Sequence, residues 1–285
     1  MKKIRKAIIP AAGFGTRHLP ITKAIPKEML PVLSRPAIDY VIAECVASGI
    51  DNICIVLSRA KEAIPDYLDC KPELEAALIK AGKRDMLEAV NFYEGKANFC
   101  FIRQPQMKGT GNAVELCKEF VAGEDFAVLF PDDVIDSEKP VIGQLTDAYN
   151  STGTSIVGVQ KMPPEKAKLY GVVVPSGTKG RYSAVKGFVE KPSVENMPSS
   201  LTSLGRFILT HDIFDYIPLV KPVGAEIRLP DAIDIMAKNL SVYAYEFEGK
   251  RYDMGSVEGF IQANVAYAKK DNNLLKIITD ELSRG

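Results

Sequence analysis

Short apolar runs alternate with segments of helical periodicity along the first half of the chain. An apolar run bounded by turn residues is typical of a buried strand, whereas apolar residues at about every third or fourth position indicate a helix packed on a core. This alternation predicts an α/β fold with a mostly parallel sheet covered on both faces. The predicted strands are Ala7–Pro10, Ile53–Leu57, Phe99–Ile102 and Phe126–Phe130, and the predicted helices are Pro36–Ser48, helices within about 60–90, and Gly111–Glu119.

The pattern changes after about residue 155, where strand-like runs follow one another with only turns between them. Such runs favour antiparallel neighbours, so this part of the sheet is expected to be mixed. From Val257 onward, apolar and charged residues again alternate at helical spacing. We find no internal repeat or low-complexity linker, and therefore predict one domain over residues 1–285 with a helical insertion at about 60–90 and a helical segment at 257–285. The strands predicted in the second half are Ser155–Val159, Gly171–Pro175, Ala184–Glu190 and Leu204–Leu209.

Charge and cysteine content narrow the function classes. The 36 basic residues balance the 36 acidic ones, so no overall charge attracts nucleic acid or an anionic membrane. The N-terminal apolar stretch is interrupted by Pro10 and Gly13, and no run reaches the ~18 apolar residues of a membrane helix. We therefore expect a cytoplasmic protein with no nucleic acid or membrane partner, and reduced, mostly buried thiols at Cys45, Cys54, Cys70, Cys100 and Cys117.

The loop after the first predicted strand has an unusual composition. In a doubly wound sheet, ligands bind beyond the carboxyl ends of the strands, which is where this loop lies. Gly13 and Gly15 can adopt positive φ and present backbone N–H groups to phosphate, and Arg17 can grip phosphate with a planar fork. His18 stands where a dinucleotide fingerprint would need its third glycine, and the Walker A ending GK[ST] is absent. The loop is therefore suited to phosphate but not to NAD or to P-loop hydrolysis.

Taken whole, the segment from Gly13 to Pro31 resembles the signature of the sugar-nucleotide pyrophosphorylases. Its second half, Thr22-Lys-Ala-Ile-Pro-Lys-Glu-Met-Leu-Pro31, is most similar to the glucose 1-phosphate uridylyltransferase branch, whereas the related thymidylyltransferases diverge after the arginine. The resemblance implies a Rossmann-like three-layer nucleotidyltransferase fold with a mixed, mostly parallel central sheet. It continues in the family's order at Arg103-Gln104, Gly109–Ala113, Pro131–Asp133, Tyr170–Val172, Glu190–Pro192 and Tyr252–Gly255.

The reaction implied by this resemblance joins UTP to glucose 1-phosphate, giving UDP-glucose and pyrophosphate with Mg²⁺. A sugar-phosphate oxygen attacks the α-phosphorus, and because this nucleophile is already an anion, the protein must supply positioning and charge neutralisation rather than a general base. The resemblance makes residues 1–150 the nucleotide-binding half and 151–256 the sugar-phosphate-binding half, and it implies a homodimer or homotetramer.

The same resemblance assigns roles to individual residues. Arg17 and Lys27 are the catalytic cations, with Lys23 as a weaker candidate, and Asp132 and Asp253 are the Mg²⁺ ligands. Asp133, next to the first ligand, is expected to point elsewhere. The sugar phosphate is assigned to Gly171, Glu190 and Lys191, and the nucleotide to Ala11, Ala12, Gly13, Gly15, Thr16, Gln104 and Gly109.

One segment departs from the family pattern. Relatives read E-[IVL]-Q-L-T-D-A-I where this chain has Glu226-Ile-Arg-Leu-Pro-Asp-Ala-Ile233, so Arg228 and Pro230 replace a glutamine and a threonine. Proline suits the first turn of a helix, whereas the added cation leaves the sugar preference open. A pyrophosphorylase acting on dTTP or on another hexose 1-phosphate is one alternative. A non-catalytic, nucleotide-sensing homologue is the other, although the proposed catalytic and metal residues are all present.

Overall fold

The computed structural model describes residues 3–284, and its elements alternate as the apolar pattern predicts. The strands are β1 Lys6–Pro10, β2 Pro31–Val32, β3 Arg35–Pro36, β4 Asn52–Leu57, β5 Asn98–Arg103, β6 Phe126–Leu129, β7 Asp133–Asp136, β8 Ser155–Lys161, β9 Gly171–Lys179, β10 Tyr182–Glu190, β11 Leu201–Leu209, β12 Val242–Glu246 and β13 Lys250–Asp253. The helices are α1 Ala37–Ala47, α2 Ala63–Leu68, α3 Pro72–Lys80, α4 Arg84–Val90, α5 Gly109–Glu115, α6 Lys118–Val121, α7 Val141–Thr152, α8 Pro164–Ala167, α9 Ile213–Tyr216, α10 Leu229–Ala237, α11 Val257–Ala268 and α12 Asn272–Ser283.

The main sheet has nine strands within the described residues, in the order β5-β4-β1-β6-β11-β8-β12-β10-β9. The strands β5, β4, β1 and β6 are mutually parallel, whereas β11 runs antiparallel to both β6 and β8. Farther along, β12 is parallel to β8, and β10 is antiparallel to β12 and β9. The predicted mixed sheet, with most strands in one direction, is confirmed.

Alternation along β1 shows how the three layers form. Ala7 and Ile9 pack with α1 residues such as Ile38 on one face of the sheet, while Ile8 packs with Val114 of α5 on the other. Successive side chains of a strand point to opposite faces, so a strand buried on both sides needs apolar residues at every position. The continuous run Ala7–Ile9 satisfies that need, and the three-layer Rossmann-like architecture is confirmed.

The strand predictions are confirmed with ends shifted by a few residues, but the helix predicted over Gly111–Glu119 is wrong as a single element. The chain forms α5 and α6 with a turn at Leu116–Cys117, and Cys117 turns its thiol into the core. The helices of the insertion are α2, α3 and α4. The elements that the pattern did not reveal include α7, α10, β7, β12 and β13.

A separate two-stranded sheet joins distant parts of the chain beside the main sheet. It pairs β7 with β13 in antiparallel register, with Asp133 opposite Asp253. The backbone N–H of Met254 also donates to the carbonyl of Asp132 at 2.8 Å. This pairing brings the segment after β6 against the segment that ends β13, although more than a hundred residues separate them.

Two simpler expectations concern thiols and membrane segments. All five cysteines are free, with Cys45, Cys54 and Cys117 buried. The predicted reduced, mostly buried thiols therefore agree with the structure. Among the helices of residues 3–284, none has the length and apolar character required to cross a membrane.

Candidate active site

A cleft of about 810 Å³ opens beyond the carboxyl ends of β1, β5 and β6. The parallel strands place their following loops at the same edge of the sheet, and the cleft lies where these loops meet. Most residues predicted for the site line this one cavity. They are Ala12, Gly13, Arg17, Gln104, Gly109, Asp132, Gly171, Glu190, Lys191 and Asp253, and Arg228 and Pro230 line it as well.

Other predicted residues lie outside the cavity lining. Ala11 is fully buried, and its N–H donates to the carbonyl of Val56 in β4 at 2.8 Å, so that N–H is already used by the sheet. Thr16 begins a short 3₁₀ turn and, like Lys23, is exposed away from the lining. Lys27 reaches the site indirectly, through an ion pair with Asp132.

Gly15 allows the loop to pack against the segment that carries Lys27. Its φ is 71°, and a Cβ there would lie 3.0 Å from the Cβ of Lys27 and 3.2 Å from the Cγ2 of Thr22. The Thr22 hydroxyl donates to the Gly15 carbonyl at 2.8 Å. A side chain at 15 would strain the backbone and separate the two segments, so this glycine acts on Lys27 rather than lining the cleft.

Asp132 lies in the turn that follows β6. The N–H of Asp133 donates to the carbonyl of Phe130 at 3.3 Å, and Pro131 occupies the second turn position, where a fixed φ is favourable. The Lys27 Nζ lies 2.5 Å from the Asp132 carboxylate. Burial alone would raise the pKa of Asp132, but the Lys27 ammonium outweighs burial and lowers this pKa to about 2. The carboxylate is therefore charged at neutral pH.

Asp253 faces the same point from β13. Its carboxylate accepts a hydrogen bond from the Tyr170 hydroxyl at 2.7 Å and from the Gly255 N–H at 2.9 Å, and Arg17 lies 3.5 Å away. A Cβ built on Gly255 would lie 2.9 Å from one oxygen of Asp132 and 2.9 Å from one of Asp253. The two carboxylates thus converge on one small space.

The donor set fits a hard divalent cation such as Mg²⁺. Such a cation commonly takes one or two carboxylates and completes its shell with substrate phosphates and water. Within residues 3–284 there is no group of three or more His, Cys, Asp or Glu side chains that could hold a metal. Asp132 and Asp253 could therefore hold the cation together with phosphate oxygens, which links metal binding to substrate binding.

Arg251 is a charged residue of the cleft that the sequence reasoning missed. Its guanidinium stacks over the Tyr170 ring at 4.4 Å, donates to Asp133 at 2.5 Å and lies 3.7 Å from Asp253. Burial raises the pKa of Asp133 to about 6, with Asp132 and Asp253 adding to the effect and Arg251 opposing it. Asp133 itself lines the cleft and shares Arg251 with Asp253, so its expected orientation away from the metal position stays a prediction. Residues two apart in a strand point to the same face. The spacing of Arg251 and Asp253 could therefore have indicated that Arg251 lies beside Asp253.

Gln104 and Gly109 form one end of the cleft. The Gln104 amide nitrogen donates to the Gly109 carbonyl at 3.1 Å and to the Asn112 side chain at 3.0 Å. Gly109 has a φ of 87°, and a Cβ there would lie 2.5 Å from the carbonyl oxygen of Ile227. The segment 226–229, which carries the departure from the family pattern, therefore packs directly against this glycine loop.

Gly171, Glu190 and Lys191 form another part of the cleft lining. A Cβ on Gly171 would overlap the Phe188 ring and lie 3.0 Å from Glu190, so glycine is required there. Val172 pairs with Thr202 of β11, which brings the β9–β10 hairpin beside the loops of the main sheet. Burial raises the pKa of Glu190, with Lys191 and Arg228 opposing it.

Arg228 is tied to its own helix. Its guanidinium donates to Asp231 at 2.7 and 3.0 Å.

Further cleft residues not anticipated from the sequence include Phe14, Met107, Thr110, Lys168 and Leu169. The arrangement as a whole presents acidic oxygens, cations and small backbone positions around one elongated cavity, as a phosphate-transfer site requires.

Comparison with known proteins identifies the family. Residues 6–270 match the family described as nucleotidyl transferase. A UTP–glucose-1-phosphate uridylyltransferase of Staphylococcus epidermidis is 48% identical over 272 residues, which cover 95% of this chain and 94% of that protein. A solved UDP-glucose pyrophosphorylase complexed with UDP-glucose superposes with a TM-score of 0.87 at 40% identity, covering 94% of this chain and 99% of the other. The UTP-bound UGPase of Acinetobacter baumannii gives 0.90 at 35% identity and 98% coverage of both chains. This chain belongs to the nucleotidyl transferase family.

Proposed function

We propose that this chain is a UTP–glucose-1-phosphate uridylyltransferase, which forms UDP-glucose and releases pyrophosphate. The observation that carries the proposal is the single cleft in which the glycine-rich loop and the Asp132–Asp253 pair meet Glu190 and Lys191. Relatives with that activity, 46–48% identical over nearly the whole chain, support the choice of substrates.

The nucleotide is proposed to lie along the glycine-rich loop, with its base at Gln104. The Gln104 amide nitrogen is engaged by Gly109 and Asn112, so its carbonyl oxygen is the group suited to accept the N3–H of uracil. The backbone at Ala12, Gly13 and Gly109 allows close approach of base and ribose. Thymine offers the same N3–H, so this contact alone does not separate UTP from dTTP.

The phosphates are proposed to lie between Arg17 and the two aspartates. Asp132 and Asp253 would hold Mg²⁺, and the bound cation would neutralise part of the triphosphate charge. Lys27 holds Asp132 ionised and adds a positive charge behind it. Arg17, whose side chain is largely exposed, is free to turn onto the leaving pyrophosphate.

The reaction needs no proton transfer. A phosphate oxygen of glucose 1-phosphate forms a bond to the α-phosphorus, the bond from this phosphorus to the bridging oxygen breaks, and pyrophosphate leaves with that electron pair. Lys191 is proposed to hold the incoming phosphate, and Glu190 to accept hydrogen bonds from sugar hydroxyls near Gly171. The chain's contribution is therefore orientation and charge stabilisation, the two terms expected to dominate phosphoryl transfer.

The decisive test is pyrophosphate release with UTP and with dTTP, each with glucose 1-phosphate and Mg²⁺. We expect UTP with glucose 1-phosphate to give the highest kcat/KM, and galactose 1-phosphate and mannose 1-phosphate to be poorer. A preference for dTTP or another hexose would replace the proposed substrates within the same reaction class. No release with any pair, from a folded protein that binds UTP, would favour the nucleotide-sensing alternative.

The assembly and cellular setting belong to the same proposal. We propose a cytoplasmic homodimer or homotetramer without nucleic acid or membrane partners, with residues 1–150 serving the nucleotide and 151–256 the sugar phosphate. Apolar side chains of the helical insertion are exposed in the single chain, including Leu74, Ile79 and Met86. Light scattering at micromolar concentration tests this assembly, and a monomer would contradict it.

A further inference from the structure

Arg206 is a fully buried cation in the middle of β11. It shares a strand face with Leu204 and Ile208, which pack with α1 and α7 residues. An ion in this position is costly unless its donors are satisfied, and an apolar side chain would fill the same space without that cost. Core packing alone therefore does not account for an arginine at position 206.

The contacts of Arg206 point to the turn that carries Asp132. Its Nη1 donates to the carbonyl of Phe130 at 3.1 Å, and its Nη2 donates to the carbonyl of Asp133 at 2.7 Å. These two carbonyls flank Pro131 and Asp132 on either side. One rigid guanidinium therefore holds both ends of the turn, a geometry that the point charge of a lysine cannot reproduce.

Glu44 of α1 fixes the guanidinium from the opposite side. Its carboxylate accepts from Nε at 3.1 Å and from Nη2 at 2.9 Å, and it also accepts from the N–H of Ile142 in the first turn of α7 at 3.0 Å. The side chain of Glu44 is 9% exposed. The pair is thus anchored to two helices as well as to the strand.

We propose that Arg206, held by Glu44, is a positioning residue that sets the Phe130–Asp133 turn so that Asp132 faces Asp253. The inference rests on the proposed function for its role in turnover. It does not require Arg206 to touch substrate or metal. Loss of the guanidinium fork loosens the turn and weakens binding of the metal–nucleotide complex, because removal of groups that orient metal ligands commonly costs about 10- to 100-fold in affinity.

Three variants test the proposal. Arg206→Lys keeps the charge but loses the fork, and Glu44→Gln keeps the shape but weakens the anchor. The double change Glu44→Leu with Arg206→Met removes both charges, so that no unpaired ion remains in the core. Tyr149→Phe is the matched control, because the Tyr149 hydroxyl donates to Asp125 at the opposite end of β6.

The readouts separate positioning from simple loss of stability. Hydrogen exchange at the amides of Asp132, Asp133 and Val134 reports on the turn in the ligand-free protein. Calorimetric binding of UTP in the presence of Mn²⁺ reports on the assembled site without turnover. For all three variants we expect faster exchange at these amides and at least about tenfold weaker Mn²⁺-dependent UTP binding, with KM for glucose 1-phosphate nearly unchanged. Tyr149→Phe should show neither effect, even if its Tm falls as much as the Tm of the three variants.

The outcomes are distinguishable from failure of the proposed function. If the unmodified chain binds UTP with Mn²⁺ but releases no pyrophosphate, the function fails while the exchange and binding comparisons still test Arg206. If folded Arg206→Lys and Glu44→Gln bind Mn²⁺ and UTP as the unmodified chain does, with unchanged exchange at the turn, the pair is only structural and the proposal is overturned.

Discussion

The regions of the cleft proposed for the phosphates and for the sugar, its phosphate end and its sugar end, differ in how their charges are held. At the phosphate end, Lys27 and Asp132 form a close pair whose side chains are 17% and 15% exposed. At the sugar end, the side chain of Lys191 is 65% exposed, and its distance to Glu190 is 3.9 Å. Lys27 begins a short 3₁₀ turn that packs against Gly15, whereas Lys191 directly follows β10. Glu190 is as shielded as Asp132, with 15% of its side chain exposed, so the contrast lies between the two lysines. Charges that are paired and shielded from water before substrate arrives are preorganised, and exposed ones are screened.

This difference predicts which substitutions should lower kcat and which should change KM or the choice of sugar. Changes at the phosphate end should lower kcat, because they remove preorganised charge that acts in the transition state. Changes at the sugar end should act mainly on KM and on the choice of sugar, because Glu190 and Lys191 are proposed to contact the incoming sugar phosphate rather than the leaving pyrophosphate.

The largest effect is expected from the aspartate pair. Asp132→Asn and Asp253→Asn keep an oxygen ligand but lose the charge that offsets a divalent cation, so each variant should fold and lose roughly 100- to 1,000-fold in kcat/KM. Added Mg²⁺ should restore only part of the activity, and the double variant should be little worse than the poorer single one. Initial rates across a Mg²⁺ series measure this.

Asp136→Asn is the matched control for the aspartate pair. Asp136 ends the same strand as Asp133 and pairs with Lys270 at the surface, so its loss should leave activity nearly unchanged. Near-normal activity of Asp253→Asn at low Mg²⁺ would mean that Asp132 binds the metal without Asp253, and that the β7–β13 pairing serves only the fold.

The second prediction concerns Arg17. Arg17→Ala should lower kcat/KM by about 100-fold or more, roughly 3 kcal/mol, because it removes a cation that stabilises the leaving pyrophosphate. Lys23→Ala, in the same segment but outside the cleft lining, should have little effect. A loss below about tenfold in a normally folded Arg17→Ala protein would exclude Arg17 from the catalytic set.

The third prediction uses pH to probe the sugar end. Burial raises the pKa of Glu190, so this carboxyl takes up a proton at a higher pH than an ordinary glutamate does. Only the ionised form accepts sugar hydroxyl hydrogen bonds at both oxygens, and KM for glucose 1-phosphate should therefore rise as pH falls toward that pKa. The rise should set in at a higher pH than an ordinary glutamate would produce, and KM measured in steps from about pH 8 to about pH 5 checks it.

Glu190→Gln provides the comparison for this pH series. The sugar phosphate itself titrates in the same range, but the ratio of KM values between the two proteins cancels that contribution. We expect the KM of Glu190→Gln divided by the KM of the unmodified chain to be largest near pH 8 and to fall toward acid pH. A ratio that stays constant across the series would show that Glu190 does not bind the sugar as a carboxylate.

The smallest effect is expected at Arg228. Because its guanidinium already pairs with Asp231, Arg228→Gln should change KM for glucose 1-phosphate by only about threefold. Its influence should instead appear in the ratio of kcat/KM for glucose 1-phosphate to that for galactose 1-phosphate. Lys161→Gln, in an exposed ion pair with Glu246, is the control and should leave that ratio unchanged.

Local patterns were sufficient to predict eight of the nine strands described in the main sheet, all but β12, and the glycine-rich loop. Buried strands such as β1 and β4 need apolar residues at every position, and a phosphate loop needs small residues at a strand end, so both are visible in short stretches of sequence. Neighbouring residues carry most of this information. The site residues outside this loop, such as Asp253 and Glu190, were assigned from the resemblance to a family.

The features missed from the sequence depend on contacts between distant segments. The strands β7 and β13 are short and largely polar, and only their mutual pairing makes them strands. Arg206 lies in an apolar run, and nothing near it identifies Glu44 as its partner. The indirect position of Lys27 follows from packing against Gly15, which is again a tertiary contact. Periodicity cannot report such pairs, because it describes one segment at a time.

Gly255 leaves a small space among the side chains of Arg17, Asp132 and Asp253 that any other residue would fill. Both carboxylates lie 2.9 Å from the point that a Cβ at this position would occupy, and the Arg17 guanidinium lies closer still, so the exchange of one hydrogen for a methyl group would force Arg17 out of its place beside Asp253. The chain could then retain both aspartates, its net charge and the family signature apart from one glycine, and still hold its phosphate-binding arginine in a different place. A relative that carries Arg17 and both aspartates is thus comparable with this site only when the residue at position 255 is considered with them.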